Sequence, residues 1–196
     1  MTQRFTATSD EGELTARQLT CRMSLTATVP LWKETLCLDI LVEGETDDEP
    51  LVFSSQWMDV ALGDLKLDRA AFLDGLHVTW PEGSANDPLQ PPASLYDGRH
   101  GMVSVMDLRM THVEGPQYDL VVTGAAEFAA EFAIETRVSL DEITVANDAR
   151  TREADVAEWY DETFAQAGLT GDWSVLQTAN GALHRYVATV PVQGGG

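Results

Sequence analysis

The sequence predicts an α+β, mainly β fold: an antiparallel β-sandwich or a strongly curved sheet, with a short central helix and one longer helix near the C-terminus. Three observations carry that expectation. Apolar residues recur at every second position over several segments of the 196-residue chain, which is the period of a strand with one wet face. Asn180-Gly181 separates two such segments and marks a two-residue hairpin turn. One stretch near the C-terminus carries a clear helical stripe.

The elements follow in order. Leu19, Cys21, Met23, Leu25, Ala27 and Val29 alternate with polar residues, and Pro30 ends that strand. A second strand covers about Glu34 to Val42, followed by an acidic loop from Glu43 to Pro50. A third runs from Leu51 to Val60, with Phe53 and Trp57 on one face. Leu67 to Leu76 reads as the short helix, with Asp68 as N-cap and Gly75 as stop. His77 to Trp80 is a strand closed by Pro81, and Glu82 to Gly101 is a long irregular loop.

Met102 to Val113 is again a strand, and Glu114-Gly115-Pro116 is a turn. From Tyr118 to Leu140 the period of two continues almost without a break. The helix formers of 125–133 pull the other way, but alternation in both flanks favours two strands, or one long bent strand, with a break near Gly124. Residues from about Asp148 to Ala167 form the longer helix, with Val156, Trp159, Tyr160, Phe164 and Ala167 on one stripe and Gly168 as its stop. The chain closes with a hairpin whose register pairs Ala179 with Ala182 and Gln177 with His184. Residues 1–192 make one β-rich domain, and 193–196 are a flexible glycine tail.

Charge is the outlier. There are 32 acidic residues against 12 basic ones, a formal net charge of −20. Such a field repels nucleic acid and anionic membrane surfaces and raises the encounter rate with basic proteins. Solubility and adaptation to salt account for the same acidity equally well. The first twelve residues lack the apolar core of a signal peptide, and no apolar run is long enough to span a bilayer. Cys21 and Cys37 are too few for a disulfide framework, so reduced thiols and a cytoplasmic location are expected.

The sequence carries no phosphate-binding glycine loop, nucleophile elbow, HExxH or CxxC, and neither a metal nor a cofactor is expected. The run Asp47-Asp48-Glu49 lacks the spacing of a calcium loop and reads as a solvated hairpin tip. Of four histidines, His77 reads as a partly buried core residue, and His100 stands out. It follows Asp97-Gly98-Arg99 at the end of the long loop, where Asp97 either orients the imidazole or caps backbone amides of a tight turn. Trp32 and Trp80 adjoin prolines at strand ends and are candidate interface anchors, while Glu158, Asp161 and Glu162 form the wet side of the helix. The partner-binding set is therefore Asp97, Arg99, His100, Trp80, Trp32, Glu158, Asp161 and Glu162.

Two functions of different kinds fit this character. One is a non-catalytic module that captures a basic protein, as an immunity protein does when it neutralises a toxin. The other is a structural subunit of a larger assembly, such as a phage-type tail tube, self-associating through a ribbon from about Met102 to Leu140. An enzyme built on Asp97, Arg99 and His100 ranks below both, because spacing alone assembles no acid–base pair there.

Overall fold

Alternation over 19–29 produces the expected strand, and its partners show how the sheet is built. The computed structural model describes residues 3–29, 35–47, 49–55, 58–66, 71–80, 93–147, 153–164, 170–178 and 181–189. The strands are β1 (Arg4–Ser9), β2 (Gly12–Thr15), β3 (Leu19–Val29), β4 (Thr35–Gly44), β5 (Leu51–Ser54), β6 (Met58–Ala61), β7 (His77–Trp80), β8 (Ser94–Tyr96), β9 (His100–Glu114), β10 (Gln117–Ala126) and β11 (Glu131–Asn147). One helix, α1 (Glu153–Phe164), and a hairpin of β12 (Thr170–Thr178) and β13 (Gly181–Thr189) follow.

The fold is mainly β with one α-helix, and its sheet closes on itself. Neighbours run β10-β9-β8-β5-β4-β3-β11, and β11 pairs again with β10. Closure depends on two long strands. β9 pairs with β8 at its start and with β7 further along, while β10 occupies its other edge. β11 pairs with β1 and β10 in its first half and with β3 in its second. That last pairing is parallel, the one departure from the antiparallel expectation. β1–β2, β6 and β7 lie outside the ring.

Inward positions fill the ring. Met23, Leu25, Leu38, Ile40, Val42, Phe53, Leu95, Leu108, Leu120, Val122 and Ile134 are each at most 1% exposed. A ring of about eight strands is just wide enough to be filled by its own side chains, and here the rings of Phe53 and Phe132 come within 5.9 Å of each other. Each such side chain contributes roughly 1.5–3 kcal/mol by leaving water.

Several expectations are corrected. The strand expected over 51–60 is broken at Ser55, and both halves pair with β4. Ser55 is fully buried, and its hydroxyl accepts from the Ile40 amide at 2.9 Å, satisfying a donor that the break leaves open. Of the central helix expected over 67–76, residues 67–70 lie outside the described residues, and 71–76 form turns. The Gly75 amide donates to the Met110 carbonyl and the Met110 amide to Leu76, so β9 takes the backbone bonds a helix would have used. Ser94–Tyr96, read as loop, is a strand that bridges β5 and β9.

The ambiguous stretch is two strands, joined at Glu127–Ala130 rather than near Gly124. Gly124 lies inside β10 because a Cβ there would sit 2.2 Å from the Val105 carbonyl oxygen and 2.8 Å from the Phe132 ring. The alternation survives the turn because Gly124 pairs with Phe132 and Val122 with Ile134, so partners share parity. In the last hairpin Thr178 pairs with Gly181 and Val175 with His184, a register two residues away from the expected one.

The longer helix appears as α1, with Trp159, Tyr160 and Phe164 buried and Glu158, Asp161 and Glu162 exposed. Phe164 is its anchor: its ring meets Phe72 edge-on at 5.8 Å, Trp159 at 6.2 Å and Tyr160 at 5.0 Å. Among the described residues, no helix is long and apolar enough to cross a membrane.

Candidate functional site

Four connections from distant parts of the chain meet at one end of the ring: β1–β2, β4–β5, β8–β9 and β10–β11. The strand directions require it, since β1, β4, β8 and β10 all end where β2, β5, β9 and β11 begin. Three of the four expose carboxylates: Asp10, Glu11 and Glu13 on the first, Glu45, Asp47 and Glu49 on the second, and Glu127 and Glu131 on the last, while Asp97 of the β8–β9 connection is covered by Arg99. Against them stand Arg17, Arg99 and His100. Arg17 is paired with Asp47.

Arg99 ties this end together. Its guanidinium grips Asp97 with two bonds, Nε to Oδ1 at 3.3 Å and Nη2 to Oδ2 at 3.0 Å, and Nη1 reaches Glu11 Oε1 at 3.2 Å. Its central carbon lies 5.3 Å from the centroid of the Phe128 ring, within cation–π range. One side chain thus joins three of the four connections. The forked geometry suits arginine and not lysine. The paired acids stabilise the charged form and push the Arg99 pKa up further. Gly101 makes room for the contact, because a Cβ there would lie 2.5 Å from the Phe128 ring.

Asp97 also accepts the Arg99 backbone amide at 3.1 Å, so it caps the turn. Its carboxylate is committed to Arg99, and the orientation of His100 by Asp97 is not what the structure has. His100 is exposed at the first position of β9, opposite Tyr96. The predicted site residues therefore fall into separate places. Asp97, Arg99 and His100 lie at the acidic end. Trp80 is opposite Met106, six residues along β9 from His100, or about 20 Å. It is half-buried and packs on the core. Glu158, Asp161 and Glu162 lie on α1, whose Phe164 packs on Phe72 beside the far half of β9. Trp32 and Trp57 lie outside the described residues.

What the sequence reading missed is the β1–β2 hairpin, which brings Glu11 to Arg99. A signal was present in Ser9-Asp10-Glu11-Gly12, a turn between Phe5 and Ala7 on one side and Leu14 on the other. His77 was also misread. It is exposed on the outer face of β7, with Nε2 3.0 Å from Asp107 Oδ2, and Arg109 donates to the same carboxylate at 2.8 Å. Those two partners, Arg109 first, hold the Asp107 carboxyl below its usual range.

Comparison with protein-family models, curated proteins and solved structures gives no match to this chain. Fold and site together define a closed β ring with one acidic, arginine-laced end.

Proposed function

We propose that this protein is a non-catalytic acidic binding module that captures a basic protein, in the manner of an immunity protein that neutralises a toxin. One observation carries the reading: three connections remote in sequence, β1–β2, β4–β5 and β10–β11, expose their carboxylates at the same end of the ring. A surface of one sign raises the encounter rate with an oppositely charged partner and sets its orientation. The Arg99 contacts tie two of those connections to the β8–β9 turn in one arrangement, which lowers the ordering cost of binding. The reading as a structural subunit has less support, because both edges of β10 are paired within the chain, so the ribbon proposed for assembly is spent inside the ring.

The test is affinity capture from the native lysate at about 50 mM salt, where screening is weak. Three baits are compared: the native protein, a triple Glu45→Lys, Asp47→Lys, Glu49→Lys variant, and a control Asp161→Lys, Glu162→Lys variant. One basic protein held by the native and control baits, and lost by the triple variant, is the expected result. Recovery of no basic protein overturns the reading. Equal recovery by all three moves the contact away from this end.

A further inference from the structure

The two outer faces of the ring differ in kind. On β7, β9, β10 and β11 the outward positions include His77, Asp107, Arg109, Asp119 and Arg137, joined in ion pairs. A solvated sheet face is expected to look like that. On β4, β5, β8 and β9 the outward positions include Leu41, Val52 and Tyr96, half-buried, and Met102, 37% exposed, with Ser54 and Ser94 between them and with exposed Arg22 opposite Leu41 and His100 opposite Tyr96. The register makes the four apolar residues neighbours. Val52 is directly opposite Tyr96. Leu41 is opposite Ser54, two residues from Val52, and Met102 is opposite Ser94, two residues from Tyr96. Direct partners are about 5 Å apart and diagonal ones about 7–8 Å, so the four form one continuous arc around Ser54 and Ser94, with Val52 and Tyr96 at its apex.

The apex of the arc, Val52 and Tyr96, borders the acidic end. Exposed Glu43 is opposite Val52, and the carboxylates of Glu45, Asp47 and Glu49 follow in the β4–β5 connection. An apolar centre with charged groups around it is the arrangement in which a few anchors supply most of the binding energy while the rim steers and excludes water.

We propose that the Leu41–Val52–Tyr96–Met102 arc is the anchor of the capture surface and takes one apolar side chain flanked by arginine or lysine on the partner. The inference rests on the proposed function, and charge complementarity chooses the occupant. Basic residues of the partner meet Glu43, Glu45 and Glu49, and the apolar side chain between them lies on Tyr96 and Met102. An uncharged or acidic partner would leave those carboxylates unmatched or repelled.

The probes are two synthetic peptides, Arg-Lys-Arg-Phe-Arg-Lys-Arg and the same with Ser for Phe, titrated at about 50 mM salt. The Phe peptide is expected to bind the native protein about tenfold more tightly than the Ser peptide. Met102→Ser and Tyr96→Ser are each expected to remove that preference while leaving the Ser peptide unchanged. Val113→Ser is the control, since Val113 is as exposed on β9 but lies at its other end. Should Tyr96→Ser fail to fold, Met102→Ser decides. Equal binding of both peptides overturns the anchor and leaves charge capture standing. A preference that survives Met102→Ser and Tyr96→Ser overturns its location. Binding of neither peptide overturns the proposed function and the anchor with it. A dimer in sedimentation velocity that Met102→Ser dissociates gives the arc to a second copy and overturns the proposal.

Discussion

The guanidinium of Arg99 lies over the ring of Phe128, 5.3 Å from its centroid, while its nitrogens hold Asp97 and Glu11. A cation at the centre of an acidic surface weakens that surface's attraction for a basic partner, yet this one also fixes the surface's shape. The two roles carry opposite signs, which makes them separable.

Arg99→Gln removes a positive charge, so charge alone predicts tighter binding of a basic partner. Loss of the ties to Asp97, Glu11 and Phe128 predicts weaker binding, because three connections must then be ordered on association. The expected outcome is a loss of roughly threefold to tenfold in affinity. Amide hydrogen exchange at residues 97–99 and 127–129 should speed up in the variant. Tighter binding with unchanged exchange would reduce Arg99 to an ordinary surface cation.

Asp107 gives a pH signature. Arg109 and His77 depress its pKa in the folded state, so its contribution is present above the ordinary carboxylate range and fades as pH falls through the depressed value. Asp107→Asn should therefore melt below the native protein at neutral pH. The gap should close in acid, below about pH 4, where the unfolded carboxyl is already protonated. Melting temperatures at three pH values between neutrality and about pH 2 check this. A constant gap would mean that the loss is steric.

Phe164 is fully buried between Phe72, Trp159 and Tyr160. Phe164→Ala should cost about 3–5 kcal/mol, the range for removing a buried aromatic ring. A urea titration reads the loss as a lower midpoint at unchanged slope. A reduced slope would instead show α1 unfolding separately from the ring.

The local elements were legible where a period ran long enough. Leu19–Val29 is the predicted strand to the residue, because alternation, polar gaps and a terminal proline agree. The helix is legible from Trp159, Tyr160 and Phe164, and the strand character between Tyr118 and Leu140 shows through the helix formers, although the last strand runs on to Asn147. Where local signals misled, a tertiary bond had claimed the backbone. Residues 71–76 lose their helix to the bonds of Gly75 and Leu76 with Met110, and the break at Ser55 is stabilised by a hydroxyl that reaches Ile40 across the sheet.

The candidate site was legible only in part. Asp97, Arg99 and His100 drew notice because glycines bracket them, but nothing local points to Glu11, which lies 88 residues away from Arg99. Trp80 and the α1 carboxylates were grouped with that turn by residue type alone, and the sheet sets them elsewhere.

Periodicity, turn residues and charge balance are properties of short segments and of composition, so they fix which stretches become strands, where one helix forms and the sign of the field around the molecule. Closure of the ring, the parallel pairing of β11 with β3, and the meeting of three acidic connections with the Arg99 turn at one end are decided elsewhere. They depend on which strand edges find each other across tens of residues. That choice is made by the packing of inward side chains and the need to pair every buried backbone donor, and neither is written in any one segment.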